Sequence, residues 1–267
     1  MKRTPVVFIH GVWLHALSWE SWVERFVSRG FLASAPGWPG EMATARDTRA
    51  APRILGRVGL DALTDHYAAI VRSFDTAPVL VGHSVGGLIA QHLIAADVGR
   101  AAVAIAPAPI NDIPLPASYA RLLPSARGGA GATVSLSPER FRRTVANAVA
   151  PEEARRLYER YAMPAPHRLL TDLGCGAERR GPHATADVGN AGRGPLLLVS
   201  GQEDRLVPDS VTRAAYKQYG DSTAVTDLKQ FADRGHSLVF DSGWRSVADY
   251  VLAWLTERGV RARPARR

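Results

Sequence analysis

The sequence predicts an α/β fold, a mostly parallel sheet with helices on both faces. Three observations predict it: short apolar runs at residues 6–9, 77–81, 101–106 and 196–200, helix-spaced apolar stripes between them, and glycine or proline at the junctions. Runs of that kind, rich in valine, leucine and isoleucine and without a polar alternation, belong to strands buried on both faces.

The first run, Val6 to Ile9, ends at His10-Gly11. A helix is expected next, because Trp19, Trp22, Val23, Phe26 and Val27 recur at three- and four-residue spacing, which assigns the tryptophans to the core. Ser18 is positioned to cap its start and Gly30 to end it in a left-handed turn. A second strand at 31–35 stops at Pro36-Gly37-Trp38-Pro39-Gly40, which reads as a loop. A helix at 60–74 precedes the strand at 77–81, and a helix at 84–96 follows it, with a stripe of Leu88, Ile89, His92 and Leu93. The strand at 101–106 closes the first half.

Between residues 108 and 190 the alternation gives way to prolines, glycines and amphipathic helical pieces, and this stretch is expected to be an insertion. Ser137-Pro138 opens one helix and Pro151-Glu152-Glu153 another, with acidic residues suited to the positive helix end. After Gly194-Pro195 the rhythm resumes: a strand at 196–200, a helix at 209–219, a strand at 224–231 and a closing helix presenting Trp244, Val247, Ala248, Val251, Leu252 and Leu255 on one face. The expected organisation is a core of residues 1–107 and 191–260, a cap insertion at 108–190 and a disordered basic tail at 261–267.

Composition narrows the function classes. The 267 residues are 46% apolar and 22% charged, enough to bury one core without a second domain. No apolar run approaches the roughly 20 residues that span a bilayer, and the run after Met1-Lys2-Arg3 stops too soon for a signal peptide, so a cytoplasmic location is expected. Cys175 is the single cysteine, which excludes an intrachain disulfide. The net charge of +8 invites a nucleic-acid partner, but the basic residues are scattered without aromatic interleaving and crowd only at 258–267; a small-molecule substrate is expected instead. There is no HExxH, cysteine pair or carboxylate cluster to hold a metal, and no glycine-rich phosphate loop, so no cofactor is expected.

The chemistry concentrates at Gly82-His83-Ser84-Val85-Gly86, a GxSxG pentapeptide set between an apolar strand and an apolar helix. A strand-to-helix turn that sharp strains the serine backbone and needs small residues at 82 and 86; it leaves the hydroxyl at the positive end of the helix. Ser84 is therefore the candidate nucleophile. Downstream, Gly201-Gln202-Glu203-Asp204 follows the strand at 196–200, and Asp233-Arg234-Gly235-His236 follows that at 224–231. Spacing leaves Glu203 and Asp204 both open as the acid.

With these motifs the chain resembles the α/β-hydrolase superfamily over nearly its whole length outside the insertion. In that family the order along the chain is serine, acid, histidine, which the resemblance carries to Ser84, Asp204 and His236. His10-Gly11-Val12-Trp13 resembles the family's oxyanion motif, implying that the N–H groups of Val12 and Val85 hold the oxyanion and that His10 shapes the loop; His15 and His83 are read as structural or pocket-lining. A serine at the nucleophile position disfavours dehalogenase and epoxide hydrolase chemistry and leaves acyl chemistry. The first strand starts close to residue 1, without the hairpin many members place before it, so a sheet of about six strands is expected, as in the plant methylesterase and hydroxynitrile lyase branch.

The insertion stands where members carry a cap, which assigns substrate choice to it and to Trp13; Phe141 and Tyr158, with Val145, Leu157 and Met163, are candidates to line the pocket, or merely to pack cap helices together. The leading expectation is a serine esterase acting on a small to medium, largely apolar ester, thioester or lactone. A lyase, perhydrolase or biosynthetic tailoring enzyme using the same residues, and a small-molecule receptor on the same fold, remain open alternatives.

Overall fold

The computed structural model describes residues 3–121, 131–174 and 182–262; Cys175 and the end of the basic tail lie outside them. Six parallel strands form the sheet: β1 (Pro5–Ile9), β2 (Leu32–Ser34), β3 (Val79–His83), β4 (Ala101–Ile105), β7 (Leu196–Gly201) and β8 (Thr226–Phe231), in the order β2-β1-β3-β4-β7-β8. Every residue of β1, β3, β4 and β7 is buried, so both faces are covered, as their unbroken apolar sequences require. The edge strand β8 is only half-buried along its length, consistent with its mixed sequence Thr-Asp-Leu-Lys-Gln-Phe.

The helices α1 (Glu20–Ser28), α2 (Ala45–Ala50), α3 (Leu60–Arg72) and α4 (Val85–Ala95) lie in the first half of the chain. Between β4 and β7 come α5 (Ala117–Ala120), α6 (Pro138–Thr144), α7 (Pro151–Tyr161) and α8 (His167–Asp172), together with β5 (Thr133–Val134) and β6 (Ala165–Pro166). The last two form a separate antiparallel pair, where sequence suggested helical pieces only; two-residue strands are too short to leave a periodic signal. The chain ends with α9 (Asp209–Gln218), packed on β7 and β8, and α10 (Trp244–Glu257). None of the helices in the described residues is long and apolar enough to cross a membrane.

Two local expectations need correction. Ser18 does not cap α1: it sits inside a 3₁₀ turn, Ala16–Trp19, whose cap is His15, its Nδ1 accepting the Leu17 N–H at 3.1 Å. The chain must turn sharply after β1 before it can enter α1, and that turn consumes Ser18. His92 is not part of a buried stripe; it stands half-exposed and bonds the Thr185 carbonyl, while the rest of α4 from Val85 to Ala95 is buried all round. The caps at Gly30 (φ 89°) and Ser137 form as expected.

Trp19 and Trp22 are wholly buried in an aromatic cluster with Phe8 of β1 and Phe26 of α1, ring centroids 5.0–6.0 Å apart. The Trp22 indole N–H donates to the Val239 carbonyl at 2.7 Å, tying α1 to the segment after β8. Substituting Trp22→Ala removes this packing and strands a buried carbonyl. Chemical denaturation should show a loss of about 3–5 kcal/mol, against about 0.5 kcal/mol or less for Val27→Ala on the exposed side of the same helix.

Candidate active site

Strand order places the site before any side chain is considered. From β1 the chain goes to β2 on one side and, through α3, to β3 on the other, so the connections diverge beyond the carboxyl ends of β1 and β3. Such a switch point opens a crevice in a parallel sheet. His10-Gly11-Val12 leaves β1 there, and Ser84 ends β3.

The crevice is closed to within van der Waals contact by glycines. A β-carbon at Gly82 would lie 2.0 Å from the Gly86 carbonyl oxygen, one at Gly86 2.1 Å from that of Ile9, and one at Gly11 2.8 Å from the Ser84 Cβ. Only the absence of side chains at these positions lets the β1 loop, the β3 turn and the start of α4 meet. The turn costs Ser84 a left-handed backbone, φ 55° and ψ −118°, a strained conformation held by hydrogen bonds from its N–H to Ile105 O and from the Ala108 N–H to its carbonyl.

Asp204 and His236 come together. The His236 Nδ1–H donates to Asp204 Oδ2 at 2.7 Å, and the other carboxylate oxygen accepts the N–H groups of Leu206 and Val207, each at 2.8 Å. With Nδ1 as donor to a carboxylate, Nε2 is the nitrogen free to act as a base. Glu203 is exposed and its side chain takes no part. The histidine loop is pinned by Asp241, which accepts from Arg234, Ser237 and Gly243.

The serine hydroxyl, in contrast, is not hydrogen-bonded to His236. Its partner is the phenol of Tyr119, O to O 3.1 Å. All three side chains are buried to within 1%. Tyr119 lies on α5, a four-residue helix in a proline-rich stretch, and no motif marks it in the sequence. The ring of His83 lies 4.5 Å from that of His236, and its Nε2–H donates to the His236 carbonyl. Burial, reinforced by the neighbouring His236, holds His83 well below the ordinary histidine range, so it is neutral and structural.

Val85 follows the serine in the chain, and Val12 follows Gly11, where a β-carbon would lie 2.8 Å from the Ser84 Cβ. Among the described residues no acceptor takes the Val12 N–H, and Val85 is the first residue of α4, whose opening N–H groups have no intrahelical acceptor. Trp13 is buried at φ 63°, its indole N–H bonded to Val134 O at 3.0 Å and its ring 6.2 Å from that of Tyr119. Trp13 and Tyr158 share a cavity of about 40 Å³ with Arg49, Leu136, Ala162 and Met163. Phe141 does not line it; fully buried, it packs against the Tyr158 ring, whose hydroxyl bonds Leu136 O. No group of three or more histidine, cysteine, aspartate or glutamate residues in the described part of the chain is placed to hold a metal ion.

The loop that carries Val12 is anchored from behind by a residue that sequence reading passed over. Glu41, buried beneath the loop, sets Oε2 3.0 Å from His10 Nε2 and Oε1 3.2 Å from His15 Nε2, and accepts the N–H groups of Ala16 and Trp38 at 2.7 and 3.0 Å. His10 also stacks on the Trp38 ring at 4.5 Å. Burial alone pushes the Glu41 carboxyl upward, but the two imidazoles and the backbone donors outweigh it and hold it down to about 2.

The model of the Alpha/beta hydrolase family matches residues 6–250. Similar folds include the methylesterase protein MES16 from Arabidopsis (18% identity, TM-score 0.67, covering 95% of this chain and 99% of that one). A monoacylglycerol lipase from Paleococcus ferrophilus (20%, 0.68, 97% and 100%) and a serine-to-alanine variant of the pyrethroid hydrolase PytH (16%, 0.63, 96% and 98%) are also similar.

Because the folded-state pKa of Glu41 is depressed, its contribution to stability is fully present above about pH 4.5 and is lost as the pH falls toward 2. Glu41→Gln should therefore lower stability at pH 7 by up to about 3 kcal/mol, with the gap to wild type closing between pH 5 and 2 in denaturant titrations. A gap independent of pH would contradict the anchoring role.

Proposed function

Since the chain belongs to the Alpha/beta hydrolase family, we propose that it is a serine hydrolase cleaving small to medium, largely apolar carboxylic esters, thioesters or lactones through an acyl-enzyme on Ser84. The observation that carries this reading is the 2.7 Å bond from His236 Nδ1 to the buried Asp204 carboxylate, which leaves Nε2 as a base beside a strained, glycine-hemmed serine. An imidazole so oriented can take the hydroxyl proton, and the carboxylate steadies the imidazolium that results.

The roles follow from position. Ser84 turns its hydroxyl from Tyr119 to His236 Nε2; catalytic hydrogen bonds are commonly unformed until substrate binds. Oγ then attacks the carbonyl carbon, and the oxygen of that carbonyl gathers charge between the N–H groups of Val12 and Val85. The imidazolium protonates the departing alcohol, and water activated by His236 releases the acid.

Residues 108–190 act in this reading as the cap. They supply Tyr119 over the nucleophile, meet the oxyanion loop through Met163 N–H to Trp13 O at 3.0 Å and His15 N–H to Tyr161 O at 2.9 Å, and reach the acid loop through Ser118 and Asn147. With Ser84 buried, side chains of this segment must move to admit substrate. Trp13 and Tyr158 line the small cavity and select what fits; Phe141 supports Tyr158 from behind.

A fluorophosphonate probe should label the wild-type protein and fail to label Ser84→Ala, and His236→Ala should cost at least about a thousandfold in kcat on any ester turned over. A folded wild type that stays unlabelled would defeat the hydrolase reading in favour of a receptor; labelling without ester turnover would shift weight to a lyase.

With the cavity of about 40 Å³ beside Trp13 taken as the acyl pocket, acetate and butyrate should exceed decanoate among p-nitrophenyl esters by about tenfold or more in kcat/KM. The reverse order would show that the acyl pocket lies elsewhere.

A further inference from the structure

The Glu41 carboxylate, the His10 ring and the Gly11 carbonyl stand in a row that ends on the Val12 N–H. The peptide unit joining Gly11 to Val12 is planar and trans, so its carbonyl and its N–H point to opposite sides. On the carbonyl side, the His10 Nδ1–H donates to Gly11 O at 3.1 Å, and the Leu14 N–H reaches the same oxygen at 3.4 Å. On the other side, no acceptor among the described residues takes the Val12 N–H.

The neighbours of His10 fix its protons. A peptide oxygen only accepts, so Nδ1 carries a proton. Nε2 lies 3.0 Å from Glu41 Oε2, where a bare lone pair would oppose an ionised carboxylate, so Nε2 carries one as well. His15 differs. Its Nδ1 accepts the Leu17 N–H, which leaves one proton, on Nε2, facing Met42 O at 2.9 Å and Glu41 Oε1 at 3.2 Å. The Glu41 charge is therefore matched by His10, an imidazolium wholly removed from solvent and stacked 4.5 Å from the Trp38 ring, whose face attracts a cation.

Resting on the serine hydrolase reading, we propose that His10 is a positioning residue for the oxyanion: as an imidazolium paired with Glu41, it fixes the Gly11–Val12 peptide and polarises it, which makes the Val12 N–H a stronger donor to the oxygen that gathers charge. A hydrogen bond received at a peptide oxygen draws electron density from the nitrogen, and a charged donor makes a bond roughly twice as strong as a neutral one. The demand on the Val12 N–H rises as the carbonyl oxygen becomes an oxyanion, so the effect falls on the transition state and not on the bound ester. In this role His10 exchanges no proton with the substrate.

Two variants separate the donor from the ring. His10→Phe keeps a ring against Trp38 and removes both N–H groups, whereas His10→Asn returns a neutral amide N–H near the position of Nδ1. On p-nitrophenyl butyrate, His10→Phe should lower kcat by about tenfold or more with KM changed by no more than about twofold. It should weaken inhibition by a butyl trifluoromethyl ketone, which forms an oxyanion on Ser84, by a similar factor, and His10→Asn should recover about threefold or more of both losses. A folded His10→Phe with kcat and inhibition unchanged, or with KM alone altered, overturns the role, as does a folded His10→Asn no better than His10→Phe. Should neither fold, Glu41→Gln reads the same row from its other end: kcat and inhibition falling together by about threefold or more sustain the proposal, and both unchanged overturn it. Fluorophosphonate labelling separates the two levels: an unlabelled wild type removes the hydrolase reading and this inference with it, whereas a labelled wild type with unaltered variants removes this inference alone.

Discussion

Three backbone segments converge on Ser84 with no space for a single extra carbon. Gly11, Gly82 and Gly86 are the points of contact, and each would drive a β-carbon into a neighbouring main-chain or Ser84 atom. The left-handed backbone of Ser84 follows from this closure. A local strain of order 1–3 kcal/mol is held by the register of β1 on β3 and of β3 on β4, whose pairing runs without interruption to the ends of the strands. The sheet is thus the device that sets the site, and loops supply only what it cannot.

What the loops supply lies on either side of that point. From beyond β7 and β8 come Asp204 and His236, bonded to each other and fixed by backbone donors and by Asp241. From behind the loop that carries Val12 comes Glu41, joining His10, His15, Ala16 and Trp38 into one buried polar knot. From residues 108–190 comes Tyr119, which closes the site over the hydroxyl. Buried polar clusters of this kind position groups more than they stabilise the chain, because desolvation offsets much of their attraction.

These parts differ in how far the amino-acid order reveals them. The inner strands β1, β3, β4 and β7 were legible because burial on both faces demands apolar runs, and the place of Ser84 because its turn demands glycines at fixed offsets. Spacing alone did not separate Asp204 from Glu203; the family resemblance favoured Asp204, and in three dimensions its carboxylate turns inward while Glu203 is exposed. Tyr119 and Glu41 had no local signature: each matters through partners tens of residues away, Ser84 in one case and His10 and His15 in the other. Ser18 misled because capping preference ignores the turn that tertiary structure imposes, and Phe141 packs on the Tyr158 ring, one of the two roles that its sequence left open.

The claim beneath the functional reading is that a strained serine, an imidazole oriented by Asp204 and two unspent N–H groups surround one reacting carbon. A crystal structure of the phosphonylated protein tests it most directly. The account predicts phosphorus bonded to Ser84 Oγ, the phosphonyl oxygen about 2.7–3.1 Å from the nitrogens of both Val12 and Val85, and His236 Nε2 within hydrogen-bonding reach of the adduct. Phosphorus on another residue, or a phosphonyl oxygen turned away from both valine nitrogens, would contradict it.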